Sequence, residues 1–140
     1  SVSGMTAQRQ RVNTISENIA NAETTRTPQG GPYRRREVIL ASVANDRTFE
    51  EELLSQDRSV STSTEVKVVG IVQDERPPIL RFEPGHPDAN EEGYVEMPNV
   101  NIMEEMVNLM SANRSYEANT AAFNATKNMV QSALDLGRNA

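Results

Sequence analysis

The single histidine of the chain, His86, lies among carboxylates, and this is the one place where residue types and spacing suggest metal or acid–base chemistry. Asp88, Glu91 and Glu92 follow it closely. A bound metal needs several ligands in a fixed geometry, and this imidazole has no second histidine and no cysteine to join it. We therefore keep a soluble α/β module, which binds a ligand or a metal through His86 and the acidic loop, only as the alternative interpretation.

Two further clusters could carry chemistry. Residues 59–64 are rich in serine and threonine, but no base stands beside them to activate a hydroxyl group. Arg34, Arg35 and Arg36 could hold an anion, yet successive side chains of an extended segment point to opposite faces. The chain has no cysteine and no glycine-rich phosphate loop. We therefore predict that the protein is not an enzyme and that it binds no cofactor, metal or small-molecule substrate.

Length and charge narrow the class of protein further. The 140 residues suit one small domain with extensions, and no apolar run is long enough to span a membrane. Residues 1–36 carry six arginines against two glutamates, whereas residues 37–100 carry fourteen acidic against five basic residues, and the net charge is −6. An acidic chain without a basic stripe argues against nucleic acid as a partner. Separate basic and acidic segments suit contacts between neighbouring subunits.

A long helix near the C-terminal end must organise the rest of the chain. Residues 100–136 contain neither proline nor glycine. Asn101 is a favourable N-cap residue, and Glu104 follows it at the spacing of a capping box. Gly137 is predicted to end the helix in a left-handed conformation. The helix would be about 50–55 Å long, which is too long for one small globular core to cover.

Apolar side chains along this helix repeat with the three- and four-residue steps of a heptad. A second stripe of alanines and apolar residues runs beside the first from Ala118 to Leu136, and one partner cannot cover both stripes. We predict that this helix contributes the following residues to an assembly interface: Ile102, Met106, Leu109, Asn113, Tyr116, Phe123, Met129, Val130 and Leu134.

A shorter helix with the same kind of seam is predicted at the N-terminal end. It should end near Ala22 or Glu23, because a run of threonines leads to Pro28 and the residue before a proline disfavours helix. An isolated helix of this length is marginal in water, so we expect it to pair with the long helix. Its predicted interface residues are Met5, Val12, Ile15, Ile19 and Ala22.

The middle of the chain alternates turns with short extended stretches. A bulge is predicted near Gly70, a short helical turn at residues 48–54 and a loop at residues 55–64. The predicted strands cover residues 33–41, 65–73, 79–83 and 94–97. We therefore predict an α+β fold, in which residues 1–27 and 101–140 form a coiled-coil-like helical assembly domain and residues 28–100 form a small β-rich segment.

Motifs at both ends resemble those of the bacterial flagellar rod and hook axial proteins. The N-terminal match is SGMTAQR at residues 3–9 and ISENIANAETT at 15–25, and the C-terminal match is MPNVN at 97–101, EMV at 105–107 and RSYEAN at 114–119. Between them, GGPYRR and PGHPDANEEGYV are similar to one proximal rod protein in particular, with another proximal rod protein as the alternative. The motif residues singled out are Asn18, Asn21, Thr24, Asn99, Asn101, Glu105, Tyr116, Glu117 and Asn119.

The resemblance implies a structural subunit of the flagellar basal-body rod, which crosses the periplasm. The implied partners are other copies of the chain, neighbouring rod proteins and the flagellar type III export apparatus, without nucleic acid and without a membrane span of its own. The terminal helices would pack with those of neighbours into a helical tube that transmits torque from the rotor to the hook. Asn113 and Lys127 are expected to set the register of that packing.

Overall fold

The computed structural model describes residues 2–44 and 64–138 and confirms the α+β class. The helical turn predicted at residues 48–54 lies outside the described residues. So does the loop predicted at residues 55–64, apart from Thr64, which begins a strand. The described elements are, in chain order, α1 (Val2–Ala20), β1 (Arg36–Ala44), β2 (Thr64–Gln73), β3 (Ile79–Phe82), β4 (Tyr94–Met97) and α2 (Ile102–Arg138).

Helix α1 ends at Ala20, slightly earlier than the predicted end near Ala22 or Glu23. The helical hydrogen-bond pattern changes after Asn21, because the Ala22 backbone N–H donates to the Ile19 carbonyl oxygen at 3.2 Å, three residues back instead of four. Asn21 Nδ2 also donates to the Glu17 carbonyl oxygen at 2.9 Å, beside the Asn21 backbone N–H at 3.0 Å. One carbonyl at the helix end is thereby satisfied twice, and the chain leaves the helix as a turn. The Thr24 backbone N–H then donates to the Asn21 carbonyl oxygen at 3.1 Å and carries the chain away from the helix axis.

Helix α2 begins where the sequence predicts and continues past its predicted end. Asn101 Oδ1 accepts hydrogen bonds from the backbone N–H groups of Met103 at 3.1 Å and Glu104 at 3.4 Å, so Asn101 is the N-cap. The prediction that Gly137 ends the helix is wrong. Gly137 is helical, and the helix runs through it to Arg138. A single glycine costs a helix about 1 kcal/mol, which lowers its stability without being a stop signal.

The two helices pack antiparallel, with close contacts near both ends of α1. A Cβ atom added at Gly4 would lie 3.4 Å from Asn119 Nδ2, whereas Asn18 Nδ2 lies 3.1 Å from Glu105 Oε2. Between these contacts Ala7 and Ala112 are buried. Because α2 has 37 residues and α1 only 19, residues 121–138 of α2 extend past the described part of α1 for about 27 Å. We call residues 121–138 the overhang of α2.

Two pairs of antiparallel strands lie between the helices. Strands β1 and β2 form a ribbon whose register shifts between Ile39 and Leu40, opposite Gly70 and Val68. This leaves Val69 as the extra residue of a bulge, next to the predicted Gly70. Strand β1 is offset from the predicted residues 33–41, and the other three strands lie close to their predicted ranges. Strands β3 and β4 form the second pair, with the Phe82 and Tyr94 rings packed edge to face at 5.2 Å.

Candidate assembly interface

A buried asparagine fixes the junction between the helices and the β1–β2 ribbon. Asn18 is fully buried, and its Nδ2 donates to the Arg36 carbonyl oxygen at 2.8 Å and to Glu105 Oε2 at 3.1 Å. Its Oδ1 accepts from the Arg36 backbone N–H at 2.9 Å and from the Tyr33 hydroxyl at 3.0 Å. All four hydrogen-bonding positions of the amide are used. Three parts of the chain, α1, α2 and the start of β1, are therefore held by one side chain.

An ion pair between the buried Glu105 and the partly buried Arg35 completes the junction. The Glu105 side chain is 1% exposed, and its Oε1 accepts a hydrogen bond from Arg35 Nε at 2.6 Å. Burial disfavours the charged guanidinium, but the hydrogen bond and the charge of Glu105 outweigh it and raise the pKa of Arg35. For the Tyr33 hydroxyl, burial has the opposite effect and raises the pKa, so this group stays protonated as the donor to Asn18. The carboxylate of Glu105 is fully paired, as a buried charge must be.

Of the residues considered for metal or acid–base chemistry, His86 and Asp88 hold a loop in place. His86 Nδ1 accepts a hydrogen bond from the Asp88 backbone N–H at 3.0 Å. The Asp88 carboxylate accepts from Thr25 Oγ1 at 2.7 Å and pairs with Arg26. The Thr25 hydrogen bond, with that of Arg26, lowers the pKa of Asp88. Within residues 2–44 and 64–138, no group of three or more His, Cys, Asp or Glu side chains could hold a metal ion, and no helix is apolar enough over its length to cross a membrane.

Most of the motif residues mark joints of the fold. Asn18 and Glu105 form the buried junction, Asn21 ends α1 and Asn101 begins α2. Thr24 Oγ1 donates to Asn21 Oδ1 at 3.1 Å, and Asn99 Nδ2 donates to the Pro77 carbonyl oxygen at 3.2 Å. The remaining three motif residues lie on α2. Asn119 lies against Gly4, whereas Tyr116 and Glu117 are exposed.

The predicted interface residues of the N-terminal part lie beside the most buried stripe of α1, and Ala22 follows the helix. Ile15 and Ala22 are buried, and Met5, Val12 and Ile19 are partly buried. The positions with the least exposure on the inner side are small or polar: Ala7, Thr14 and Asn18. Together with Gly4 and Arg11 they repeat by three and four residues, one position before the predicted seam.

The predicted interface residues of α2 lie outside the contact between the two helices. Leu109 is partly buried and Asn113 is exposed, and the remaining members, Ile102, Met106, Tyr116, Phe123, Met129, Val130 and Leu134, are 40–70% exposed. The face turned toward α1 is instead a stripe of small and polar residues that the apolar pattern missed: Glu105, Asn108, Ala112, Ser115 and Asn119. These five also repeat by three and four residues, which is the signal that could have found them.

A long helix with an uncovered apolar surface, locked at one end to a short β ribbon, is typical of a structural subunit that other chains complete. Comparison with known proteins agrees. Residues 1–26 match the family model "Flagella basal body rod protein", and residues 91–136 match "Flagellar basal body rod FlgEFG protein C-terminal".

Relatives named flagellar basal-body rod protein FlgC align over nearly the whole chain. The one from Bacillus subtilis (strain 168) is 46% identical over 99% of this chain and 94% of its own length. The one from Borreliella burgdorferi is 44% identical over 94% of this chain and 89% of its own length. The one from Salmonella typhimurium is 38% identical over 97% of this chain and 92% of its own length. The chain therefore belongs to the FlgC family, and it is a structural subunit of the flagellar basal-body rod.

Proposed function

We propose that the chain assembles through its two terminal helices, with other copies of itself and with neighbouring rod proteins, into a helical tube that transmits torque from the rotor to the hook. The observation that supports this most directly is the exposed apolar seam of α2. Every residue from 121 to 138 is exposed, and Phe123, Val130 and Leu134 continue along it at heptad spacing. An apolar seam of this length in water is stabilised when another chain covers it.

We assign each part of the chain a separate role in the proposed assembly. Residues 1–27 and 101–140 form the assembly domain, which packs as a coiled coil with the same parts of neighbouring subunits. Residues 28–100 form the β-rich segment on the outside of the tube. The buried junction of Asn18, Arg35 and Glu105 supports this proposal, because it ties the ribbon rigidly to both helices and lets force on one part reach the other.

The remaining parts of the proposal rest on the family. The subunit reaches its place through the flagellar type III export apparatus, lies in the periplasmic part of the basal body and has a structural, non-catalytic role. The alternative, a module that binds a ligand or metal through His86, gains no support from the geometry around that residue. His86 and Asp88 use their polar atoms to hold their own loop, and Glu91 and Glu92 are exposed.

Fractionation of cells tests the proposed function. An epitope tag between residues 59 and 64 leaves both terminal helices unchanged, and a strain lacking its own copy of the gene would carry the tagged chain. We expect the tagged chain to restore swimming and to co-purify with detergent-insoluble basal bodies. A His86→Ala variant should do the same. A functional tagged chain that stays in the soluble fraction as a monomer would contradict the proposal and turn attention to His86.

A further inference from the structure

We propose that the exposed methionines of α2 are sites of reversible oxidation by peroxides, and that a sulfoxide at Met106 or Met129 keeps a subunit from joining the rod. The exposed methionines are Met103, Met106, Met110 and Met129. The inference rests on the proposed function and adds to it a chemical modification that controls which subunits assemble.

Methionine supplies all of the sulfur in this chain. The chain has six methionines and no cysteine, and every methionine lies within the described residues 2–44 and 64–138. Oxidants attack the sulfur atoms that solvent can reach. The exposed fractions are 72% for Met103, 70% for Met129, 58% for Met110 and 48% for Met106, so a peroxide has direct access to each of these side chains.

The other two methionines provide an internal reference, because the fold covers them. Met97 is 6% exposed and lies on the buried face of β4 together with Val95. Met5 is partly buried, and its Sδ accepts a hydrogen bond from Thr120 Oγ1 on α2 at 3.5 Å. Folding therefore divides the thioethers of one chain into an accessible group on α2 and a protected pair.

The reaction with hydrogen peroxide transfers one oxygen atom and two electrons. A lone pair of the thioether sulfur forms a bond to one peroxide oxygen as the O–O bond breaks, and the departing hydroxide takes the proton of the transferred oxygen to give water. The sulfur is oxidised to the sulfoxide, and the peroxide is reduced. A methionine sulfoxide reductase reverses the change with two electrons from a dithiol, which becomes a disulfide while the oxygen leaves as water.

The consequence of oxidation depends on the position of the methionine. A sulfoxide replaces an apolar thioether with a polar group, and this change disrupts contacts that contain methionine. Met106 and Met129 belong to the predicted assembly interface, where a neighbouring helix would remove the new oxygen atom from water at a cost in free energy. Met103 and Met110 lie outside the predicted interface, so a sulfoxide there stays in water. In the free chain all of these side chains are exposed, so oxidation should leave the fold itself unchanged.

Peptide mass spectrometry tests the accessibility of each sulfur. The purified full chain is exposed to hydrogen peroxide, and the sulfoxide at each methionine is followed over time. We expect the exposed methionines of α2 to be oxidised roughly fivefold or more faster than Met5 and Met97. The same chain in urea is the control. Unfolding uncovers Met5 and Met97, so all of the oxidation rates should then agree within about twofold.

Glutamine variants test the effect on assembly. Glutamine is a good helix former, as methionine is, and its amide oxygen accepts hydrogen bonds, as a sulfoxide oxygen does. In a strain lacking its own copy of the gene, a full chain with Met106→Gln and Met129→Gln should be present in basal bodies at roughly one tenth of the wild-type level, measured by immunoblot. Met106→Leu with Met129→Leu keeps both positions apolar and should assemble normally. The positional control, Met103→Gln with Met110→Gln, should also assemble normally. The urea midpoint of the free chain should be the same for all of these variants, because each replaced side chain is exposed.

Several results would overturn the inference while leaving the proposed function intact. One is equal oxidation of Met97 and the exposed methionines in the folded chain. Another is normal incorporation of the chain with Met106→Gln and Met129→Gln. A third is an equally large loss of incorporation with Met103→Gln and Met110→Gln. A wild-type chain that is missing from basal bodies would instead refute the proposed function, which separates the two failures.

Discussion

At the scale of single residues, the feature that most affects the fold is the Asn18 side chain, which forms the hydrogen bonds that the backbone of a neighbouring strand would form. The Asn18 amide accepts from the N–H group of Arg36 and donates to its carbonyl group, as a neighbouring strand would. It therefore begins the ribbon at the surface of a helix. Its remaining two bonds, to Tyr33 and Glu105, satisfy groups that would otherwise be buried without partners.

Replacing this residue should destabilise the fold strongly. Asn18→Ala leaves the Arg36 backbone groups and Glu105 Oε2 without their partner in a buried site. Each unsatisfied group costs about 1–3 kcal/mol, so we expect the free energy of unfolding to fall by about 3 kcal/mol. Urea denaturation followed by circular dichroism measures it. Asn13→Ala, an exposed position of the same helix, is the control and should change stability by less than about 0.5 kcal/mol. Equal effects of the two changes would refute the role of Asn18.

A second residue-scale prediction concerns acid. Hydrogen bonds from the side chain and backbone of Arg76 lower the pKa of Asp74 from 3.8 to about 2. A carboxyl group with a lowered pKa in the folded state stabilises above its unfolded pKa, and this stabilisation is lost as pH falls through the folded pKa. The difference in urea midpoint between wild type and Asp74→Asn should be complete above about pH 4 and should vanish on going down to about pH 2.

The size of that difference should be small, because Arg76 is more than half exposed and water screens the pair. Arg76→Ala is the control that tests the cause. It removes the donor, so the pH dependence attributed to Asp74 should largely disappear. A pH dependence that survives in Arg76→Ala would assign it to another group.

How well single residues could be predicted depends on how far apart their partners lie in the chain. Asn101 was predicted as a cap because its partners, Met103 and Glu104, are its immediate neighbours. Asn18 and Glu105 are 87 positions apart, and only folding brings them together. The motif pointed to both residues without indicating their contact. Gly137 shows the opposite case: glycine is a local signal for a helix end, but a single glycine is tolerated there, and α2 continues through it.

At the scale of elements, the length and start of α2 were predictable and its inner face was not. Apolar periodicity locates surfaces that avoid water, and in this chain the most apolar seam of α2 is not the one that α1 covers. The face in contact with α1 is small and polar because the helices approach closely at Ala112 and exchange hydrogen bonds near Glu105. This leaves the apolar seam available to other chains. The burial of each face therefore depends on partners that the sequence of one chain does not specify.

The overhang gives a prediction at this scale. Leu134→Asp places a charge on the predicted seam, where a neighbouring helix would bury it at high cost. In the free chain Leu134 is 64% exposed, so stability to urea should change by less than about 0.5 kcal/mol. The amount of chain in purified basal bodies, measured by immunoblot, should fall roughly tenfold or more.

The control adds the same charge elsewhere on the overhang. Asn128 is exposed and lies outside the seam, so Asn128→Asp should leave incorporation near the wild-type level. If Leu134→Asp also incorporates normally, the overhang is not part of the assembly interface, and the seam must be sought nearer to Ile102 and Met106.

At the scale of the whole molecule, the subunit combines a hydrogen-bonded junction with exposed apolar surfaces, which other subunits complete in the proposed assembly. The ion pair of Arg35 with the buried Glu105 fixes how the ribbon leaves the helices, whereas the apolar side chains of α2 are exposed over most of its length. Polar residues within an apolar seam specify register at some cost in stability. Asn113 and Lys127 occupy such positions, and both are exposed in the single chain.

Replacing a polar residue of the seam by an apolar one should strengthen the association of the helices and make their register less specific. We expect Asn113→Leu to leave the stability of the free chain within about 0.5 kcal/mol and to reduce swimming, because alternative registers of the helices become accessible. Soft-agar motility and electron microscopy of basal bodies measure the outcome. Asn128→Leu adds the same apolar side chain outside the seam and should have little effect. If Asn113→Leu forms rods of normal form and swims normally, Asn113 does not set the register of the helices.

The uncovered overhang also has a consequence for the lifetime of the protein. A protease needs an accessible segment that opens locally, and helix ends without tertiary contacts open most easily. Residues 121–138 are exposed in the described structure, and in the proposed assembly neighbouring subunits would cover them. Copies that fail to find a place would then be degraded from this end, while incorporated copies persist. The same 27 Å of helix that is proposed to bind a neighbouring subunit would then determine how long an unassembled subunit survives.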